Sequence, residues 1–155
     1  MGCCCSNVGP SGPLVFSTTH HPEINLSGDR RTVEWKSAAD VTGSCFSCRQ
    51  IQPYEDVIVQ FYGTGYVDVG VTDTNPSSKE SPIFSYLCGR VLYFDPCVIK
   101  FHITNTGTIV LYENNVEKNE KIVLKAREYW LMIKLGCGDI KVTIKDPKKH
   151  KDTPK

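Results

Sequence analysis

The stretch VIVQFYGTGYVDVGVT, from Val57 to Thr72, decides how this sequence folds. Apolar side chains occupy every second position on both sides of a Gly-Thr-Gly tripeptide, Gly63 to Gly65. A period of two places those side chains on one face of a β-strand, whereas a helix requires a period near 3.6. Two glycines around one threonine are typical of a tight hairpin turn, so we predict two half-buried strands joined there.

The same alternation recurs along the rest of the chain. It predicts hairpins over Ile24–Trp35, over Ile99–Leu111 with a turn at Asn105–Gly107, and over Leu131–Ile144 with a turn at Gly136–Asp139. Thr74–Ser81 is the expected exposed, mobile loop. No stretch keeps a helical period, so the chain is predicted to be all-β with little or no helix. An antiparallel sandwich or barrel fits this pattern, and we favour a β-sandwich of about eight to twelve strands.

Bulk properties exclude several classes of protein. The chain has 155 residues, 40% of them hydrophobic and 23% charged, with a formal net charge of +1. This length is typical of a single domain, and the net charge is too small to attract the protein to nucleic acid. The sequence has no apolar run of about 20 residues and no secretory signal pattern. We therefore expect a cytosolic domain whose five later cysteines are reduced, most of them in the core.

The first six residues, MGCCCS, match the pattern for N-myristoylation at Gly2. One myristoyl chain binds membranes only marginally, and palmitoylation of the adjacent thiols would make the attachment long-lived. The candidate palmitoylation sites are Cys3, Cys4 and Cys5. The alternative is a chance run of cysteines or a weak metal-binding tract.

Three regions follow from these patterns. Residues 1–13 are predicted to be a lipidated flexible segment, residues 14–146 the sandwich, and residues 147–155 a basic tail. From Lys145 to Lys155 the chain has five lysines against two aspartates. Such a tail assists the acyl chains on an anionic leaflet if both ends emerge on the same side, and is otherwise an ordinary solvated tail.

The sequence favours a binding protein over an enzyme. Cys45 and Cys48 have C-x-x-C spacing, but no second pair completes a zinc site, so core packing is the better interpretation. The Gly63–Gly65 segment is not followed by a helix that would make it a phosphate loop. No catalytic motif is present, and we expect no cofactor and no metal. The alternative is an enzyme with a hidden Cys/His site.

Six segments, in this order, resemble a Neuralized homology repeat (NHR). They are FSTTHHPEINLS from Phe16, CFSCRQIQPYEDVIVQF from Cys45, GVTDTNP from Gly70, GRVLYF from Gly89, IKFHITNTGTIVLY from Ile99 and YWLMIKLGCGDIKVTI from Tyr129. The resemblance covers about residues 14 to 146. The SPRY sandwich is a related alternative.

The resemblance implies a substrate-recognition module of the kind found in RING-type ubiquitin ligases, binding short motifs in cytoplasmic tails of Notch ligands. Some members are N-terminally myristoylated, in agreement with MGCCCS. The two-zinc pattern of a RING finger is absent from this sequence. We therefore expect an adaptor or competitor in ubiquitination on the cytoplasmic face of the plasma membrane or endomembranes, or in the cytoplasm. The alternatives are a substrate receptor paired with a separate RING ligase and a SPRY-like binding domain.

Candidate protein-binding residues are aromatic and imidazole side chains near predicted strand ends and turns. Exposed tyrosines at such places suit partner binding, although tyrosines packed on the rim of a sandwich are equally common. The candidates are Tyr62, Tyr66, His20 and His21.

Overall fold

Eleven antiparallel strands make up nearly all the regular structure in the computed structural model, which describes residues 12–37, 41–118, 122–126 and 128–147. The strands are β1 Phe16–His20, β2 Asn25–Leu26, β3 Thr32–Ser37, β4 Gly43–Ser47, β5 Val57–Thr72, β6 Tyr86–Tyr93, β7 Cys97–Ile103, β8 Thr108–Glu113, β9 Val116–Glu117, β10 Ile122–Val123 and β11 Trp130–Lys145. The predicted all-β class and strand number are confirmed. No helix in the described part of the chain is long and apolar enough to cross a membrane.

Two 16-residue strands, β5 and β11, pair along their lengths and belong to both layers of the sandwich. In the first layer the strand order is β1-β4-β11-β5-β6. The first half of β11 and the second half of β5 belong to this layer. In the second layer the order is β2-β3-β11-β5-β7-β8, with β9 and β10 both paired to β8. We call the place where β5 and β11 pass between the layers the corner.

The predicted hairpin turns at Gly63–Gly65 and Gly136–Asp139 are wrong, because both segments lie inside continuous strands. The glycines serve a different purpose there. Gly63 has φ +124°, and a Cβ on it would lie 2.0 Å from the carbonyl oxygen of Asp139. Gly138 has φ +146°, and its Cβ would lie 2.1 Å from the carbonyl oxygen of Thr64. The two strands thus cross the corner backbone against backbone, which no residue with a side chain permits.

A β-bulge in β11 explains why its alternation suggested two separate strands. Leu135 lies opposite Val67, whereas Gly138 lies opposite Gly65, so β11 contains one more residue than β5 over this interval. The inward positions of β11 therefore change from odd numbers before the bulge to even numbers after it. The buried residues on either side of the change are Leu131, Ile133 and Leu135, then Ile140, Val142 and Ile144.

The core lies between the two layers and contains the alternating residues of both. Its largest fully buried side chains include Trp35, Phe16, Phe61 and Phe101. Burying each such side chain contributes about 1.5–3 kcal/mol, which is the main source of stability in a sheet protein of this size. Trp35 also donates from Nε1 to the carbonyl oxygen of Gly136 at 2.6 Å, so it fixes the corner from the core side.

The other predicted turns and most of the cysteine assignments are confirmed. β2 and β3 form the early hairpin, and Gly107, with φ +90°, lies in the turn between β7 and β8. Cys45, Cys88 and Cys97 are buried and form no disulfide bond, and Cys137 is exposed and forms none either. Cys48 is buried but disulfide-bonded, so the expectation that all five later cysteines are reduced is wrong for this residue. Sequence spacing carries no information on which thiols meet in space.

The two ends of the described chain meet at one cleft of about 350 Å³. Gly12, Ile144 and Pro147 all contribute to its lining. Arg49 holds the first described residue there, donating from Nη2 and Nε to the carbonyl oxygen of Gly12 at 2.6 and 2.9 Å. The proposed lipidation sites Gly2, Cys3, Cys4 and Cys5, and most of the basic tail, lie outside the described residues.

Candidate functional site

A cleft of about 580 Å³ opens at the corner, where β3, β5 and β11 lie side by side. Tyr62 and Phe94 are the aromatic residues with exposed rings in its lining, at 49% and 66% exposure. Lys36 and Asp139 form an exposed ion pair at 3.7 Å on another part of its wall. The cleft therefore combines accessible aromatic surface with charges of both signs, which is the composition of a site for a polypeptide more than for a small ion.

Phe94 is held in a conformation that non-glycine residues rarely adopt, with φ +74°. Its backbone N–H donates to the carbonyl oxygen of Gly63 at 2.7 Å, which ties it to the corner. The cause is a change of register: Tyr93 lies opposite Thr64, but Cys97 lies opposite Phe61, so the chain between β6 and β7 has one extra residue. Such backbone strain costs about 1–3 kcal/mol and is typical of functional positions, and here it exposes an aromatic ring.

The outer face of β6 continues the apolar surface away from the cleft. Leu87, Val91 and Tyr93 are exposed by 44%, 56% and 74%, and they point to the same side of the sheet. Val91 lies directly opposite Tyr66 of β5, whose side chain is 45% exposed. We define the aromatic surface as these residues together with the two rings of the corner cleft: Tyr62, Tyr66, Leu87, Val91, Tyr93 and Phe94. Contiguous exposed apolar side chains of this kind mark interaction sites.

Tyr66 lies across Gly89, its diagonal neighbour on β6. A Cβ on Gly89 would lie 2.3 Å from the Tyr66 hydroxyl and 3.0 Å from Oδ1 of Asp68, so only glycine leaves room for the phenol. A hydrogen bond between that hydroxyl and the Asp68 carboxylate, together with the negative charge of the carboxylate, raises the pKa of Tyr66. Oδ1 of Asp68 is buried and has no hydrogen-bond partner. The surface therefore contains one acceptor that the protein itself leaves unsatisfied.

A charged pair beneath β6 joins the two layers of the sandwich. Arg90 forms an ion pair with Glu113 of β8, and Lys118 approaches the same carboxylate at 3.2 Å. The hydrogen bond from Arg90 holds the pKa of Glu113 below its ordinary value, and Glu113 in turn raises the pKa of Arg90. Because this guanidinium is already engaged, it positions β6 and is not a free cation on the surface.

The structure brings together two of the four candidate binding residues predicted from the sequence. Tyr62 and Tyr66 both project outward from β5 and belong to the aromatic surface. His20 and His21 lie at the end of β1, three strands from β5, a separation of about 14 Å. The ring of His21 packs edge-on against Trp35 with centroids 5.3 Å apart, so it has a structural contact of its own.

Sequence reasoning missed the larger part of the aromatic surface, which comes from β6 and the residue after it. The missed residues are Leu87, Val91, Tyr93 and Phe94. One signal was available, because YLCGRVLYF has apolar side chains at both odd and even positions. A strand with one buried face needs apolar side chains on that face only. Apolar side chains on its other face therefore indicate a binding surface.

Two of the buried thiols are poor nucleophiles. Burial raises the pKa of Cys45 and of Cys97, so both disfavour the thiolate that attacks substrates or binds metals. Among the residues that the structure describes, no group of three His, Cys, Asp or Glu side chains is placed to hold a metal ion.

Solved structures with the same architecture include two structures of NHR domains from Drosophila melanogaster Neuralized. The solution structure of the NEUZ (NHR) domain in Neuralized matches with a TM-score of 0.68 at 18% identity, covering 94% of this chain and 98% of that one. The crystal structure of the Neuralized-NHR1 domain matches with a TM-score of 0.63 at 18% identity, covering 86% and 98%. The SPRY domain of human HERC1 gives a TM-score of 0.55 at 12% identity, covering 83% and 94%.

These comparisons establish the fold of the chain as an NHR/SPRY-like sandwich, as the order of its sequence segments predicted. No protein-family model matches the sequence, and no curated protein matches it either.

Proposed function

We propose that this chain is a protein-binding module that recognises a short segment of another polypeptide through the aromatic surface. The observation that carries the proposal is the exposure of six large apolar side chains in one connected patch, one of them on a strained backbone. The hydrogen bond to Gly63 holds the backbone of Phe94, whereas its ring lies mostly in water. A partner that buries the ring would offset part of the free energy lost to backbone strain and to exposure of the ring.

The size of the patch fits a short peptide. Truncating a well-buried aromatic residue at an interface typically costs more than about 1 kcal/mol, and a few such residues account for most of the binding free energy. Tyr62, Tyr66, Tyr93 and Phe94 supply four aromatic candidates over a few strand spacings. The conformational entropy that a flexible peptide loses on binding offsets much of the free energy gained from these contacts, so we expect affinities in the micromolar range.

Binding of synthetic peptides tests the recognition surface. Biotinylated peptides that tile the cytoplasmic tails of Notch ligands are the first probe, because the resemblance to Neuralized repeats suggests them. A Tyr62→Ala/Phe94→Ala double variant should bind at least about tenfold more weakly than the wild type. Tyr54→Ala is the matched control, since Tyr54 is also an exposed tyrosine on positive φ but lies outside the aromatic surface. Equal binding by the double variant and the wild type would reject this surface.

Membrane attachment is the second part of the proposal, and the MGCCCS segment supports it. Myristate on Gly2 and palmitate on Cys3, Cys4 or Cys5 would hold the domain at the cytoplasmic face of the plasma membrane or endomembranes. The partners would then be cytoplasmic tails of membrane proteins. Gly2→Ala should move the protein to the soluble fraction of cells, whereas Val8→Ala, outside the motif, should leave it on membranes. A Gly2→Ala protein that stays on membranes would contradict the attachment.

The proposed cellular role is that of an adaptor or competitor in protein ubiquitination. Its support is the resemblance of the chain to Neuralized repeats, together with the likeness of its fold to the Neuralized domains. The second candidate role is a substrate receptor that works with a separate RING ligase. In reconstitution, a substrate receptor supports ubiquitin transfer to the bound protein only when the separate ligase is added. A competitor instead lowers the transfer that the ligase gives alone.

A further inference from the structure

β6 is the longest strand with an open edge in the part of the chain that the structure describes. Its eight residues pair with β5 alone. The other strands paired along one edge are shorter: β2, β9 and β10 have two residues each, and β1 has five. Proteins usually shorten or charge such edges, because an unpaired row of N–H and C=O groups accepts any extended chain. Of the β6 residues only Arg90 is charged, and its guanidinium is engaged by Glu113.

One hydrogen bond fixes which backbone groups of β6 face the open edge. Phe94 donates to the carbonyl oxygen of Gly63 in the register of the β5–β6 ladder, so the even-numbered residues bond to β5. The odd-numbered residues therefore direct their N–H and C=O groups away from β5. These residues are Leu87, Gly89, Val91 and Tyr93. Arg90 Nη1 already occupies the carbonyl oxygen of Gly89, at 2.5 Å, which agrees with its outward direction.

The side chains along this edge define what a neighbouring strand should carry. Leu87 and Val91 project on the outer face and are about half exposed, so apolar side chains of an added strand would pack against them. Between them Gly89 has no side chain, and the Tyr66 hydroxyl and Asp68 Oδ1 lie where its Cβ would be. Because that oxygen is buried without a partner, the position opposite Gly89 suits a side chain with an N–H or O–H donor.

We propose that the peptide partner adds to the open edge of β6 as an extended strand. It carries a donor side chain opposite Gly89 and apolar side chains two residues to either side, opposite Leu87 and Val91. This inference rests on the proposed function and gives it a binding mode. A second copy of the chain fits less well. Its Tyr93 would supply a donor opposite Gly89 only in a register that brings the charged Asp95 opposite Leu87. Ser85 also has a hydroxyl, but its backbone N–H already donates to the carbonyl oxygen of Val71 on the β5 side. Backbone hydrogen bonds give such complexes affinity, and the alternate side chains give them specificity.

The test uses the full chain and dodecapeptides selected from a random phage-displayed library. Val91→Pro removes an N–H that faces the open edge while leaving the bonds to β5 intact, and proline is tolerated on edge strands. Val91→Ala is the matched control, because it removes the side chain but keeps the N–H. We expect Val91→Ala to weaken binding about threefold and Val91→Pro at least tenfold further, with thermal unfolding of both variants remaining cooperative. Selected peptides should show the apolar–donor–apolar pattern at every second position.

Three outcomes would overturn the inference and are distinguishable from one another. If Val91→Pro binds like Val91→Ala while the Tyr62→Ala/Phe94→Ala variant loses binding, the peptide occupies the corner cleft and the proposed function stands without this mode. If no peptide is selected, the proposed function falls as well. If sedimentation shows a dimer that Val91→Pro dissociates, the edge belongs to a second copy of the chain.

Discussion

Replacing Gly138 by alanine is the sharpest test of how the two long strands pass the corner. The new Cβ would lie 2.1 Å from the carbonyl oxygen of Thr64 and 2.7 Å from the Cα of Gly65, both backbone atoms that cannot rotate away. The substitution also places a side chain at φ +146°, a region almost restricted to glycine. Backbone strain contributes about 1–3 kcal/mol and the forced displacement of packed backbone a further 1–3 kcal/mol. We therefore expect a loss of about 2–6 kcal/mol in the free energy of unfolding.

Equilibrium unfolding in urea measures this loss directly. A domain of this size has a stability of about 5–15 kcal/mol, so the variant should unfold at a much lower urea concentration or fail to fold. Gly28→Ala is the matched control, because a Cβ on Gly28 meets nothing within 4 Å, and it should change stability by less than about 0.5 kcal/mol. If Gly138→Ala were as stable as this control, the strands would not cross the corner at the distances described, and a hairpin at this place would regain support.

The remaining predictions concern the core, the charged pair and the thiols. Phe101→Ala should cost about 3–5 kcal/mol in urea unfolding, because the ring is fully buried, and a loss below about 1 kcal/mol would place it outside the core. The lowered pKa of Glu113 stabilises the fold above the carboxyl's unfolded pKa, and this contribution disappears as the pH falls through the folded pKa. Glu113→Gln should flatten the fall in stability below about pH 4; an unchanged profile would contradict the ion pair with Arg90. In peptide mapping after brief iodoacetamide treatment, exposed Cys137 should be alkylated and buried Cys45 protected until unfolding, and the reverse order would refute their burial.

Local periodicity was enough to predict the class, the strand number and the hairpins whose turns contain ordinary turn residues. It failed at the corner, because glycine pairs look alike whether a chain reverses or bends. The distinction depends on β11 and β5 lying in contact, as Gly138 and Thr64 do, although they are far apart in sequence. The shift from odd to even inward positions after Leu135 added to the error, since a bulge and a turn change the phase in the same way.

The candidate site was only partly predictable for a related reason. Tyr62 and Tyr66 were predicted as candidates because they are aromatic and lie near predicted strand ends and turns, and both are exposed in the structure. Phe94 was not, because its exposure comes from the extra residue between β6 and β7, which is visible only when both strands are aligned on β5. His20 and His21 were predicted as candidates on the same ground. Strand order, which no local pattern encodes, places them three strands from β5.

The positions of Gly12 and Pro147, the first and last described residues, bear on which membrane proteins the domain could reach. The cleft at Gly12 and Pro147 includes Ile58 of β5, whereas the corner cleft includes Thr64, six residues along the same strand, or about 20 Å. If fatty acids fasten the chain near Gly12 and β5 stands upright on the membrane, the corner lies about this far above the lipid headgroups. In that orientation an extended tail, which rises about 3.3 Å per residue, reaches the corner only if its motif begins about six or more residues after the transmembrane helix. Receptors whose motifs lie closer to the bilayer would be out of range.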